Sequence, residues 1–168
     1  IAEKGKATIA KTLDKLVSRG KLDAAEAKTV LQRITPIGEY APMIEADIII
    51  EAATEREEIK HKIFESAVTA LKPDAILASN TSSIPITRMA ARLPDPSRFI
   101  GMHFFNPVPV MGLIEVIPGL PTSQATTDRA SAFARSLGKE VVLAGDEPGF
   151  VVNRILVPMI NEAIFVLG

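Results

Sequence analysis

The sequence contains no cysteine, and this absence removes several kinds of chemistry at once. A chain without thiols forms no disulfide, uses no thiolate nucleophile and holds no metal through cysteine. The longest apolar stretch, residues 155–167, is interrupted by Pro158, Asn161 and Glu162, and it stays below the roughly 18 apolar residues of a membrane span. The net charge of -1 gives no general electrostatic reason to expect nucleic acid or a membrane as a partner.

A length of 168 residues, of which 47% are apolar and 23% charged, is typical of a globular chain with one ordinary core. The sequence begins at Ile1 rather than at a methionine, and it stops at Gly168 inside an amphipathic pattern that is still open. We therefore interpret the sequence as an internal piece of a longer protein.

The spacing of apolar residues predicts helices and strands that alternate. A first helix ends at Gly20, Asp23 with Glu26 forms a capping-box pattern before a second helix, and Thr54 with Glu57 forms another before a third. Strands are predicted at 47–51, 75–78, 98–102, 113–117 and 141–143, with helices at 86–92 and 123–137. This alternation implies a mostly parallel sheet covered on both faces. From residue 148 onward the pattern is helical, which indicates the start of a second, helical domain.

Polar side chains follow three successive predicted strands. Residues 51–55 follow the first strand, residues 79–83 the second and residues 103–107 the third. Ligands bind beyond the carboxyl ends of strands in open parallel sheets, so these groups are predicted to face one crevice. Serine, threonine and asparagine also favour turns and helix caps, and for residues 79–83 this purely structural interpretation has about equal weight.

His103, one of only two histidines, is a candidate general base. The other, His61, lies among charges on a predicted helix, where we expect it to be exposed. A lone histidine is more often structural than catalytic, but Glu115 lies inside an apolar run, where a buried carboxylate needs a partner. A carboxylate beside an imidazole fixes its tautomer and stabilises the imidazolium, which suits a base that takes a proton from an alcohol. The alternative is that Glu115 lies on an edge strand with one face in water.

Asn153 and Arg154 open the last predicted helix. An asparagine at this point could reach the crevice from the second domain, and ordinary capping and surface charge are the alternative.

Four runs of the sequence form an ordered set: Asn80-Thr81-Ser82-Ser83, Gly101-Met102-His103-Phe104-Phe105-Asn106-Pro107, Leu113-Ile114-Glu115-Val116 and Pro148-Gly149-Phe150-Val151-Val152-Asn153-Arg154. This set closely resembles the 3-hydroxyacyl-CoA dehydrogenase family, nearest to its bacterial 3-hydroxybutyryl-CoA dehydrogenases, and the resemblance covers essentially the whole chain.

The resemblance implies an α/β fold. Residues 1–147 would form a truncated, Rossmann-type, doubly wound NAD-binding domain with a mostly parallel sheet, lacking its N-terminal glycine-rich strand, loop and helix. Residues 148–168 would begin a C-terminal helical domain for dimerisation and substrate binding. The implied protein is a cytoplasmic homodimeric enzyme of fatty acid β-oxidation or butanoate metabolism. It would oxidise an (S)-3-hydroxyacyl-CoA, 3-hydroxybutyryl-CoA above all, to the 3-oxoacyl-CoA with NAD as the cofactor.

The resemblance also implies roles for individual residues. His103 would be the catalytic base, Glu115 its orienting carboxylate, and Ser82 and Asn153 would bind the substrate oxygens, with Ser82 also touching the nicotinamide end. The positions that match the NAD site are Ala52, Glu55, Lys60, Asn80, Ser82 and Asn106. Thr12 and Arg19, on the first predicted helix, match positions that contact coenzyme A, as does Ser82. No metal is implied.

The sequence departs from the family pattern in three ways. It contains neither the Gly-x-Gly-x-x-Gly nor the acidic residue that holds the adenosine ribose, it has only the first helix of the C-terminal helical domain, and Gly112 stands where a lysine is more frequent. We therefore expect the 168-residue piece by itself to be inactive. Within enzymes, the alternatives are a 3-hydroxyadipyl-CoA dehydrogenase and one domain of a multifunctional β-oxidation enzyme. Outside enzymes they are a crystallin-like structural protein, against which the intact catalytic runs argue, and a nucleotide-binding regulatory module.

Overall fold

The computed structural model describes residues 2–167, which form two compact units that divide after Pro42. The first unit is a pair of helices, α1 over Ala2–Ser18 and α2 over Ala24–Gln32. The predicted end of the first helix is confirmed. Gly20 follows α1 with a φ of +65°, a left-handed conformation that glycine adopts without the steric cost of a Cβ atom.

The second unit, from Met43 on, is built on a five-stranded sheet. The strands are β1 (Ile48–Glu51), β2 (Ile76–Ser79), β3 (Phe99–Phe104), β4 (Leu113–Pro118) and β5 (Glu140–Leu143). The helices are α3 (Glu57–Val68), α4 (Ile86–Ala90), α5 (Gln124–Ser136) and α6 (Val152–Leu167). The strand order is β1-β2-β3-β4-β5; β1, β2 and β3 are parallel, β4 is antiparallel to β3, and β5 is parallel to β4. The predicted α/β architecture with a mostly parallel sheet is confirmed.

Helices cover both faces of this sheet. The core on the α5 face consists of Ile76, Ala78, Ile100, Met102, Ile114, Val116, Ala130 and Ala134. On the opposite face Phe64 of α3 lies edge-on to Phe99, with ring centroids 5.1 Å apart. There α4 comes so close to β3 that a Cβ atom on Gly101 would lie 2.8 Å from Cδ1 of Ile86. Since side chains alternate along a strand, His103 points to the same face as Gly101.

Only one of the two predicted capping boxes caps a helix. The Asp23 carboxylate accepts hydrogen bonds from two backbone N–H groups in the first turn of α2, at 2.8 and 3.3 Å. The second prediction, Thr54 as the cap of α3, is wrong because the helix begins at Glu57 and its N-cap residue is Arg56. Thr54 Oγ1 instead accepts a 3.2 Å hydrogen bond from the Arg56 N–H, a local turn that competes with capping.

The buried face of α3 differs from the apolar stripe that the sequence predicts for this helix, at Ile59, Ile63, Phe64, Val68 and Leu71. Its buried residues are Lys60, His61, Phe64 and Ala67. The prediction that His61 is exposed is therefore wrong, since 5% of its surface remains accessible. Its ring lies edge-on to Phe64 with centroids 6.2 Å apart, and its Nε2 lies 3.5 Å from Oε1 of Glu57. Hydrophobic periodicity misses this face because Lys60 and His61 are not apolar residues, and Lys60 is buried together with its charged partner Glu51.

The helix α6 follows the sheet and exposes much of its apolar surface. Ile155 and Phe165 keep 64% and 76% of their surface accessible.

Among residues 2–167 no helix is both long and apolar enough to cross a membrane. Within the same range no group of three or more histidine, aspartate or glutamate side chains is arranged to hold a metal ion. The start of a separate helical domain at residue 148 stays a prediction.

Candidate active site

The carboxyl ends of three neighbouring parallel strands meet at one edge of the sheet. The loops 52–56, 80–85 and 105–112 leave β1, β2 and β3 at this edge, where open α/β sheets bind ligands. β3 runs two residues beyond its predicted end at Met102, so His103 belongs to the strand and not to the loop. The pleat of the sheet therefore sets the direction of the imidazole.

His103 and Glu115 are directly opposite each other in the antiparallel pair of β3 and β4. Nδ1 of His103 lies 2.7 Å from Oε2 of Glu115, and Glu115 is fully buried. Because β4 lies between β3 and β5, the alternative of an edge strand with one wet face is wrong. A buried carboxylate is costly unless it is paired and hydrogen-bonded, and the imidazole is one of its partners.

Two aromatic rings flank the imidazole of His103. Their centroids lie 4.6 Å away for Phe105 and 5.8 Å away for Phe150, and the His103 side chain keeps 9% of its surface accessible. Because Glu115 holds Nδ1, Nε2 is the nitrogen that can exchange a proton with a ligand. The arrangement has the parts of a general base: an imidazole with a fixed tautomer, and a carboxylate that stabilises the imidazolium.

Glu115 has further partners at the start of α6. Its Oε1 accepts hydrogen bonds from the backbone N–H groups of Val151 and Val152, both at 2.9 Å. The first N–H groups of a helix have no partner within the helix and favour a negative charge. One carboxylate thus contacts both the imidazole and the helix that carries Asn153.

The Glu55 carboxylate orders the loop that follows β2. Its Oε2 accepts a 2.7 Å hydrogen bond from Thr81 Oγ1, and its Oε1 accepts bonds from Ser82 N at 2.7 Å and from Ser82 Oγ at 2.9 Å. Burial raises the pKa of the Glu55 carboxyl, but these hydrogen bonds and the charge of Lys60 outweigh it and hold the pKa below its ordinary 4.5. An ionised carboxylate only accepts hydrogen bonds, so the Ser82 hydroxyl donates to Glu55 and offers lone pairs to a ligand.

A buried ion pair lies at the ends of β1 and β2. Lys60 Nζ donates to Oε2 of Glu51 at 2.6 Å, and Ser79 Oγ donates to the same oxygen at 2.9 Å. The other oxygen of Glu51 accepts a 2.7 Å hydrogen bond from the Ala53 N–H. Lys60 keeps 1% of its surface accessible, and its ammonium is paired with Glu51. That Lys60 lines an NAD site stays a prediction.

Ser82 and Asn153 line the same open groove. Asn153 Nδ2 lies 3.5 Å from the backbone oxygen of Ser82, which is long for a hydrogen bond. Nearby, Oδ1 of Asn80 accepts a 2.8 Å hydrogen bond from Phe104 N and ties the end of β2 to the end of β3. The groove has a volume of about 740 Å³, and its walls are Ser82, Ser83, Pro148, Gly149, Asn153, Arg154, Val157 and Pro158.

Four residues predicted to contact the cofactor or substrate are exposed. Ala52 follows β1 and Asn106 follows β3, at the edge where the strand ends meet. Thr12 and Arg19 belong to the first unit, where Thr12 Oγ1 donates to the backbone oxygen of Thr8 at 3.1 Å and Arg19 follows the end of α1. The ligand contacts of these four residues stay predictions.

Sequence reasoning assigned no role to Asp146. Its two carboxylate oxygens accept hydrogen bonds from the backbone N–H groups of Ile86 and Thr87, each at 2.7 Å, and so join the loop after β5 to the start of α4. A groove beside it has the same volume as the first, about 740 Å³, but neither Ser82 nor Asn153 lines it. The sequence signal is slight: an acidic residue shortly before a Pro-Gly turn.

The chain matches known proteins along nearly its whole length. Residues 1–147 match the family model described as 3-hydroxyacyl-CoA dehydrogenase, NAD binding domain. The chain is 50% identical over 164 residues to the 3-hydroxybutyryl-CoA dehydrogenase of Bradyrhizobium diazoefficiens, covering 97% of this chain and 56% of that protein. It is 41% identical over 151 residues to the 3-hydroxyadipyl-CoA dehydrogenase of Escherichia coli strain K12, covering 90% of this chain and 32% of that protein. The chain therefore spans little more than half the length of the first of these relatives.

A solved structure shows the same arrangement of elements. The crystal structure of (S)-3-hydroxybutyryl-CoA dehydrogenase from Ralstonia eutropha is similar to this chain with a TM-score of 0.97 and 49% sequence identity. The match covers 99% of this chain and 59% of that one. The family match over residues 1–147 and these two similarities in sequence and structure agree: the chain belongs to the 3-hydroxyacyl-CoA dehydrogenase family.

Proposed function

We propose that the full-length protein oxidises an (S)-3-hydroxyacyl-CoA, 3-hydroxybutyryl-CoA in particular, to the 3-oxoacyl-CoA with NAD. The observation that carries the proposal is the buried His103–Glu115 pair, 2.7 Å apart, at the edge where the parallel strands end. The names of the relatives support the choice of substrate, since two similar proteins are 3-hydroxybutyryl-CoA dehydrogenases.

The side chains at this edge have complementary tasks in such a reaction. Nε2 of His103 accepts the proton of the 3-hydroxyl group, and Glu115 stabilises the positive charge that forms on the ring. Ser82, whose proton is engaged by Glu55, accepts a hydrogen bond from an O–H or N–H group of the ligand. Asn153 offers its side-chain amide to the substrate oxygens. General-base assistance of this kind contributes about 10²- to 10⁴-fold to a rate.

The polar groups at the same edge fit the nicotinamide end of NAD. The carboxamide of nicotinamide carries N–H donors, and Ser82 Oγ has lone pairs available because it donates its own proton to Glu55. NAD, when bound, supplies the acceptor for the hydride that leaves C3. On the family resemblance, Ala52, Glu55, Lys60, Asn80 and Asn106 belong to this site as well.

The coenzyme A contacts and the wider setting of the protein are also part of the proposal. Thr12 and Arg19 are assigned to coenzyme A by their match to family positions alone. A homodimer in the cytoplasm that serves β-oxidation or butanoate metabolism follows from the same resemblance, and the exposed apolar face of α6 is a surface suited to such an assembly.

Reduction of acetoacetyl-CoA by NADH tests the proposal in the full-length protein. We expect turnover by the wild type, and a loss of about 10²-fold or more in kcat for His103→Gln, because in this direction His103 is the acid that gives its proton to the 3-oxo oxygen. His61→Gln, which changes the other histidine, is the matched control, and circular dichroism checks that both variants are folded. Absence of turnover in the wild type, or full turnover in His103→Gln, would falsify the proposal. A structural protein on this fold would show no turnover.

A second candidate substrate is 3-hydroxyadipyl-CoA, because a relative of that name is 41% identical over 151 residues. The ratio of kcat/KM for acetoacetyl-CoA and for 3-oxoadipyl-CoA separates the two candidates. We expect the four-carbon substrate to be preferred, since identity to the 3-hydroxybutyryl-CoA enzyme is higher, at 50%. A preference for 3-oxoadipyl-CoA would support the second candidate.

A further inference from the structure

The Glu115 carboxylate divides its two oxygens between different elements of the fold. Oε2 contacts Nδ1 of His103 on β3, whereas Oε1 accepts the backbone N–H groups of Val151 and Val152 at the start of α6. We propose that Glu115 positions Asn153 as well as His103, so that one carboxylate sets both the base and the substrate-binding side chain of α6. The inference rests on the proposed function, because it takes Asn153 as a ligand of the substrate.

The two hydrogen bonds from α6 to Glu115 are strong enough to hold the first turn of this helix in position. Both are 2.9 Å long, both have an ionisable acceptor, and Glu115 is fully buried. Hydrogen bonds with a charged partner are roughly twice as strong as neutral ones, and the helix N-terminus adds a favourable electrostatic contribution. Asn153 is the residue directly after the second donor, so a movement of this first turn moves Asn153 relative to His103.

The backbone that leads into α6 is tightly turned against the same site. Gly149 and Phe150 both have positive φ, at +79° and +50°, and a Cβ atom on Gly149 would lie 3.0 Å from the backbone nitrogen of Arg154. The Phe150 ring is buried and its centroid lies 5.8 Å from that of His103. The entry of the chain into α6 is therefore held beside the imidazole, and Glu115 supplies the hydrogen bonds that fix it there.

Two substitutions at Glu115 separate the two tasks. In Glu115→Gln the amide oxygen still accepts the two N–H groups of α6, while its NH₂ group faces His103 and favours the wrong tautomer. In Glu115→Leu both tasks are lost. We expect kcat to fall in both variants, and KM for acetoacetyl-CoA to rise about tenfold only in Glu115→Leu, as for the loss of a hydrogen bond to a charged group. An equal KM in the two variants would overturn the proposal.

Val152→Pro removes one of the two donors, and its ring carbon takes the place of the proton that Glu115 Oε1 accepts at 2.9 Å, so the carboxylate no longer holds the first turn of α6 at this point. Val152 is the first residue of α6, a position at which proline fits a helix, and Val152→Ala is the control that keeps the N–H group. We expect Val152→Pro to raise KM for acetoacetyl-CoA several-fold and Val152→Ala to leave it unchanged. If Glu115→Leu does not fold, the KM of Val152→Pro tests the proposal in its place.

The Asn153→Ala background shows whether the effect passes through Asn153. Residues that act through one another have non-additive effects, so Val152→Pro should not raise KM further once Asn153 is truncated. If Val152→Pro raises KM by the same factor in the Asn153→Ala background as in the wild type, the anchoring of α6 does not act through Asn153, and the proposal is contradicted.

Hydrogen exchange of the backbone amides gives a measurement that needs no turnover. We expect the amides of residues 151 and 152 to exchange faster in Glu115→Leu than in the wild type, and at the wild-type rate in Glu115→Gln. If wild-type protein does not reduce acetoacetyl-CoA but shows this pattern, the proposed function fails while the anchoring of α6 stands. Unchanged exchange in Glu115→Leu overturns the anchoring itself.

Discussion

The negative charge of Glu115 is a single-residue feature that kinetics can isolate. In the full-length protein we expect Glu115→Gln to lower kcat by about 10²-fold or more, because general-base assistance is largely lost. NADH affinity, measured by calorimetric titration, should change little. A wild-type kcat in Glu115→Gln would mean that the pair has no catalytic role.

The Glu55 carboxyl is the second single residue with a testable electrostatic effect. Its pKa lies below 4.5 in the folded protein, because hydrogen bonds from Thr81 and Ser82 and the charge of Lys60 outweigh its burial. A lowered folded pKa contributes stability that is present above the ordinary pKa and is lost as pH falls through the folded value. We therefore expect the wild type to be more stable than Glu55→Gln above pH 4.5, and this advantage to shrink at lower pH.

Urea unfolding at a series of pH values measures the effect of Glu55. The difference should stay below about 1 kcal/mol, because the side chain is largely exposed to solvent. Glu65→Gln, which neutralises an exposed glutamate of α3, is the matched control and should show no such pH dependence. A difference between wild type and Glu55→Gln that persists unchanged to low pH would contradict the assigned cause.

At the scale of elements, the pair Lys60–Glu51 joins α3 to the ends of β1 and β2. Lys60→Met leaves the Glu51 carboxylate buried without its cation, and we expect the free energy of unfolding to fall by about 3–5 kcal/mol. The double variant Glu51→Gln/Lys60→Met should recover much of this loss, because no buried charge then remains. Urea unfolding measures both, and Lys62→Met on the exposed side of α3 is the control. If the losses in free energy of unfolding from the two single substitutions simply add in the double variant, Lys60 and Glu51 are not coupled.

The elements were predictable to different degrees for a physical reason. The apolar spacing placed β1 and α5 within a residue or two of their observed bounds, because buried strands and amphipathic helices repeat locally. The face of α3 was not predictable in this way. It buries Lys60 and His61, and the burial of Lys60 depends on Glu51, which only the packed structure brings into contact with it.

At the scale of the whole molecule, the exposed apolar side of α6 predicts self-association of the 168-residue chain. Ile155, Met159 and Phe165 keep 64%, 58% and 76% of their surface accessible, and large exposed apolar patches mark interfaces or aggregation sites. Light scattering at rising concentration should therefore give a mass above that of the monomer. Replacing Ile155 and Met159 by serine should lower it, whereas Leu120→Ser, at an exposed leucine outside α6, should not. A monomer at every concentration would refute this expectation.

The sequence by itself determined the α/β alternation, the ordered motifs and the identity of the two residues that carry the candidate chemistry. These features are local, since strand and helix periods and short motifs need no knowledge of distant contacts. Only the tertiary structure decided that β4 lies inside the sheet and antiparallel to β3, which sets Glu115 opposite His103. It also decided that the same carboxylate accepts the first amides of α6. Contacts between residues 36 and 37 positions apart arise from strand order and helix docking, which leave no periodic trace in the sequence.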